Sequence, residues 1–223
     1  IDVRCANEWN RGLTDMKSKY PEAMEQIKFV GSMQKRNELL EAELKNYAKN
    51  NKLTKYVTDI INDAISDLKI KNNRTAESLQ RKGLTNNEEL DGVINIINKY
   101  AGISLNSNYY NDYDKIIADR KQQVESGWKP AGCDTMKSVF DHEFGHQIDK
   151  LLGISKSKDV KEYFENNKAS ISKNLSEYAT VKVEEFIAEA WSEYKNNPKP
   201  REISRKVGKF IERSWKEWQK KNL

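Results

Sequence analysis

Apolar residues recur at helical spacing along most of this chain. Ala6, Trp9, Leu13 and Met16 predict a helix over 6–17, which Pro21 interrupts. IKFVGS (27–32) reads as a short strand, and Leu39, Leu40, Leu44 and Tyr47 predict a helix over 34–49. The clearest amphipathic pattern is 53–69, where Leu53, Tyr56, Val57, Ile60, Ile61, Ala64, Ile65 and Leu68 share a face. Residues 70–84 are polar and predict a loop. Thr85 with Glu88 forms a capping box that opens a helix to about Tyr100, stopped at Gly102. GISLNSNYY (102–110) reads as a strand running into a turn, 112–126 as a helix and GWKPAG (127–132) as a loop. Asp134 is placed to cap a helix carrying Val139, Phe140, Phe144, Ile148 and Leu151, with Gly153 at its end. Further helices are expected at 158–167, 181–196 and 201–221. The fold class is α+β, mostly helical, with few strands and only helices after residue 134. The helices at 33–85 read as an insertion or subdomain between 1–32 and 86–223.

Composition narrows the function classes. At 223 residues, one domain of moderate size or one with an insertion is expected. Cys5 and Cys133 do not make a disulfide scaffold, and their count leaves the redox compartment open. No apolar run approaches the roughly 18–20 residues of a membrane span. The first 25 residues lack the hydrophobic region of a signal peptide. A chain that starts with Ile is expected to be a processed or excised piece. The most restrictive number is the histidine count: His142 and His146 are the whole supply. Any mechanism that needs three histidines from this chain, or a catalytic triad with its histidine elsewhere, is excluded.

Those two histidines lie in HEFGH (142–146) on a predicted helix. Positions four apart are one turn apart on one face, so both rings can address a single Zn²⁺. Glu143 lies about 100° round the helix, where its carboxylate can act as general base on a water at the open coordination position. The plain alternative is a surface helix with two solvated histidines. It does not explain why the pair uses every histidine in the chain. The longer metzincin pattern would need Gly at 149 and His at 152, where the chain has Asp149 and Leu152. Asp149 lies roughly 10 Å along the helix axis from His142, too far to share its ion. It is left either to brace a histidine or to cap nearby backbone. A third ligand therefore has to be a carboxylate from another element.

SEYATVKVEEFIAEAW (176–191) supplies the candidates Glu184, Glu185 and Glu189 on a helix buried by Val183, Phe186, Ile187 and Ala190. Glu185 and Glu189 share a face, so one carboxylate can bind a metal while the other orients a ligand imidazole. Spacing alone fits an ordinary acidic helix equally well.

HEFGHQID followed by SEYATVKVEEFIAEAW resembles the catalytic domain of the lethal-factor-like zinc peptidases. These have HExGHxxD, then a Tyr, then a Glu seven residues later in an acidic–aromatic helix. The resemblance covers roughly 134–195. It implies a zincin-like, gluzincin-type endopeptidase with one Zn²⁺ per chain, held by His142, His146 and Glu185. It further implies Glu143 as general base, Tyr178 as oxyanion hydrogen-bond donor, and Glu189 as the acid supporting a histidine. A protein or peptide substrate follows, with toxin-like or phage-delivered action. Similar domains end head-associated proteins of Gram-positive phages, and the Asn- and Lys-rich composition suits that source. Secretion or attachment to a phage particle is the corresponding expectation. The alternative is a catalytically silent zincin-fold module of such a particle, structural or host-interacting.

Two other features have readings of their own. Ser104, Leu105 and Asn106 lie on an expected edge strand, where an extended substrate could pair by β-augmentation. From Lys199 on, nine Lys and Arg face three Glu. Ile203, Val207, Phe210, Ile211 and Trp218 form a stripe among them, so a packed helix with a solvated basic face is expected rather than a nucleic-acid site.

Overall fold

The predicted active-site helix exists because two neighbours close its ends and one face of it is apolar. In the computed structural model, which describes residues 1–69 and 88–223, it runs Met136–Leu152. Its cap is Thr135 rather than Asp134. The Thr135 hydroxyl accepts from the Ser138 amide, and the Ser138 hydroxyl accepts from the Thr135 amide. A β-hydroxyl at 135 reaches the third helical amide, so the cap falls one residue later than the Asp suggests. Gly153 ends the helix in the left-handed region, with φ 67°. Glu8, on the first helix, adds an anion at the N-terminus: its Oε2 accepts from the amides of Met136 (2.9 Å) and Lys137 (3.3 Å).

In chain order the helices are α1 Val3–Lys19, α2 Pro21–Glu25, α3 Met33–Asn50, α4 Lys55–Lys69, α5 Glu88–Lys99 and α6 Tyr113–Glu125. They continue as α7 Met136–Leu152, α8 Lys158–Asn166, α9 Lys168–Asn174, α10 Val183–Asn196 and α11 Glu202–Asn222. Strands β1 (Phe29–Ser32) and β2 (Gly102–Leu105) pair in parallel, with Phe29 opposite Gly102 and Ser32 opposite Leu105. The class is therefore α+β, mostly helical, with a small two-stranded sheet. Pro21 starts a short helix instead of simply breaking the chain, as suits a residue without a usable N–H. The helix expected at 158–167 is α8, and it is followed by a further short helix, α9, and flanked by two 3₁₀ turns, Ile154–Lys156 and Tyr178–Thr180. The 70–84 loop and the Thr85 cap lie outside the described residues. Among the described residues, no helix is long and apolar enough to cross a membrane.

The chain forms two units, Ile1–Met24 with Asn108–Leu223, and Glu25–Ser107. The second is larger than the 33–85 insertion read from sequence, because both strands and α5 belong to it. Its core explains the difference: Leu40 and Leu44 of α3, the apolar face of α4, and Leu90, Val93 and Ile97 of α5 form one buried cluster. A parallel pair also needs a crossover, and α3 to α5 lie between β1 and β2 in sequence.

The first unit is built around α7 packed on α10. Gly145, inside HEFGH, makes this possible: a Cβ there would lie 2.9 Å from Ala188 Cα and 3.3 Å from Trp191 Cδ1. Gly12 does the same for α1, where a Cβ would meet the Phe140 ring at 2.6 Å. Tyr20 then joins three helices by ring contacts to Phe144, Trp191 and Trp215, with centroids 5.4–5.7 Å apart. On α11, Ile211 and Trp215 are buried, while Ile203, Val207 and Phe210 line an open groove with Tyr163 and Phe186.

Gly145→Val should force α7 and α10 apart, because the new branch meets backbone rather than a movable side-chain tip. A loss of about 1–3 kcal/mol is expected from denaturant unfolding, with Gly145→Ala milder. An unchanged midpoint would contradict the close packing.

Candidate metal centre

His142 and His146 come from one face of α7, and Glu185 from the first turn of α10. The helix crossing brings three atoms together. His142 Nε2 and His146 Nε2 are 3.2 Å apart, and Glu185 Oε2 lies 3.2 and 3.3 Å from them. The two imidazoles stand nearly perpendicular, at 89°. His142 is 9% exposed and Glu185 6%, with His146 half-buried. Glu185 Oε2 makes no hydrogen bond of regular geometry in spite of these distances. The three residues form a group that could hold a metal ion.

Glu189, one turn further along α10, is almost fully buried and gathers three side chains. Its Oε1 is 2.7 Å from His142 Nδ1, off the line of a regular hydrogen bond. The same oxygen accepts from Lys129 Nζ at 2.9 Å, and Oε2 accepts from the Ser176 hydroxyl at 3.1 Å. Burial works against charge on both residues, yet the interaction prevails. His142 loses basicity to burial but is raised to about 9 by the Glu185 and Glu189 carboxylates. Burial pushes Glu185 and Glu189 up, but the histidines, and for Glu189 also Lys129, hold both below the usual carboxylate range.

Tyr178 faces the cluster. Its ring centroid is 6.1 Å from that of His142. Burial pushes its hydroxyl up to about 12, helped by the charges of Glu185, Glu189 and Glu143. Backbone pairing fixes the segment: the amides of Glu177 and Tyr178 donate to the carbonyls of Gly127 (3.0 Å) and Trp128 (3.2 Å). Trp128 packs on the Tyr178 ring at 5.5 Å, and Lys129 Nζ sits 3.5 Å from its centroid. Glu143 follows His142 on α7. Its charge is felt by His142, Tyr178 and Tyr110, whose hydroxyl burial raises to about 12.

Of the residues singled out from sequence, His142, Glu143, His146, Tyr178, Glu185 and Glu189 meet at one place. Asp149 does not join them: its carboxylate accepts from the Ser155 amide at 2.7 Å, so it caps backbone after α7. Ser104 and Leu105 sit in β2 opposite Gly31 and Ser32, and Asn106 accepts from Gln34 Nε2 at 2.9 Å. All three belong to the other unit. Cys5 and Cys133 are free and buried. Cys133 lies against Ser192 (3.2 Å), outside the cluster, and burial lifts its thiol to about 12. Lys129, Trp128 and Ser176 were not legible as site residues. The one hint was a Lys between Trp and Pro in a loop just ahead of HEFGH.

No family model matches the chain, and no curated protein or solved structure matches it significantly.

In metal-free protein the folded state holds a proton on His142 up to about pH 9, against about 6.5 in the unfolded chain. That stabilisation is complete below pH 6.5 and lost as pH rises through 9. The depressed Glu185 and Glu189 values make the same cluster weaken as pH falls below the usual carboxylate range. Thermal melting in chelator should therefore show its optimum between these limits, and Glu189→Gln should flatten the alkaline side. A melting temperature independent of pH from 6 to 10 would contradict the buried coupling.

Proposed function

We propose that this chain is a zinc-dependent endopeptidase with a zincin-like fold, of the gluzincin type that its motifs resemble. The observation that carries the reading is the convergence of His142 Nε2, His146 Nε2 and Glu185 Oε2 at 3.2–3.3 Å from one another. Ligands about 2.0–2.1 Å from a tetrahedral zinc stand about 3.3 Å apart, so these atoms suit three of its corners and leave the fourth open. Two imidazoles and one carboxylate are also a donor set zinc takes in catalytic sites. When bound, zinc supplies Lewis acidity that activates water and polarises a carbonyl.

The remaining roles fall to the chain itself. Glu143 takes the proton of the attacking water and passes it to the leaving amine. Tyr178, whose hydroxyl stays protonated to about pH 12, donates a hydrogen bond to the oxyanion. Glu189 holds His142 so that Nε2 faces the ion, as carboxylates commonly do for ligand histidines. The substrate class is a protein or peptide.

Elemental mass spectrometry of purified protein tests the ligand set. About one zinc per chain is expected in the wild type, with loss in Glu185→Ala. Glu143→Ala should keep its zinc and lose peptide cleavage by at least about 10²-fold, the usual scale for a general base. No zinc in the wild type even after loading would leave a catalytically silent module as the better reading. A fully active Glu143→Ala protein would sink the mechanism.

A further inference from the structure

Lys129 is a buried cation that the proposed chemistry does not use. It lies in the loop between α6 and α7, and its side chain is 11% exposed. Desolvating an ammonium is unfavourable unless a partner compensates, and two groups do so here. Nζ donates to Glu189 Oε1 at 2.9 Å and lies 3.5 Å from the centre of the Tyr178 ring. The same Oε1 is 2.7 Å from His142 Nδ1. Lys129 thus holds the regular hydrogen bond to that oxygen, while the close His142 Nδ1 contact stays out of line with it. Ser176 occupies the other oxygen, so the carboxylate cannot rotate to serve the two donors separately without losing that bond.

We propose that Lys129 is a positioning residue of the metal centre: it fixes the Glu189 carboxylate and moderates its pull on the Nδ1–H of His142. Through Glu189 it acts on a ligand, and by lying over the Tyr178 ring it fixes the aromatic side chain that faces the cluster. Charge, not bulk, carries the effect. A neutral side chain of the same length would leave Glu189 held by Ser176 alone, and Oε1 would be free to come into line with the Nδ1–H of His142. This inference rests on the metal reading above.

With two histidines in the chain, imidazole spectra of ¹⁵N-histidine-labelled protein separate the two questions. Zinc should shift the ring nitrogens of both in the wild type. The His142 Nδ1–H resonance, assigned by its movement in Glu189→Gln, should then move downfield in zinc-loaded Lys129→Met, because its contact with Glu189 becomes an aligned hydrogen bond. Lys129→Arg keeps the cation and should stay close to the wild-type position. If the methionine variant does not fold, Lys129→Gln carries the same expectation. A folded, zinc-loaded neutral variant with an unmoved resonance would overturn the role of Lys129. No zinc-induced shift in the wild type would instead overturn the metal reading, and this inference with it.

Discussion

The approach of α7 to α10 at Gly145 and Ala188 is the constraint on which the rest of the site depends. Glu185 reaches both ring nitrogens at 3.2–3.3 Å because Gly145 puts no side chain between the helices, leaving only the Ala188 methyl at the crossing. The same crossing sets Glu189 against the opposite side of the His142 ring. One residue without a side chain, placed between the two histidines, therefore fixes the distance at which four functional groups meet. The aromatic contacts of Tyr20 with Phe144, Trp191 and Trp215 hold that crossing from behind.

Bringing those groups together concentrates charge in a desolvated place. Glu185, Glu189, His142 and Lys129 are all largely withdrawn from water, and each is tolerable because another compensates it. The arrangement is sequential: Lys129 satisfies Glu189, Glu189 orients His142, and His142 with His146 turns toward Glu185. A group of this kind could hold a metal ion at its centre. Without one, His142 answers by retaining a proton well above the usual histidine range.

Tyr178 is positioned differently, by backbone pairing. Tyr178 sits in a 3₁₀ turn, where backbone bonds to Gly127 and Trp128 define its position. Trp128 and Lys129 then hold its ring. Two short segments separated by nearly fifty residues thus fix the tyrosine ring that faces the cluster.

The sequence by itself determined the local chemistry. Helical periodicity located most elements within a few residues, and the spacing of His142 and His146 placed both rings on one face of a capped helix. The turn-to-turn spacing of Glu185 and Glu189 made them a pair, but left open which acid does what and whether they meet the histidines at all. Where short-range signals compete, one assignment failed and one that was left open was decided. Asp134 and Thr135 are both good caps, and the hydroxyl with Ser138 three residues on prevailed. Asp149 had two possible partners, and the bend after Gly153 brought it the Ser155 amide. The tertiary structure alone decided the convergence of α7 with α10, the grouping of both strands with α3 to α5, and the entry of Lys129 into the centre. Each of these depends on contacts between residues distant in sequence, and periodicity along a chain carries no information about which faces meet.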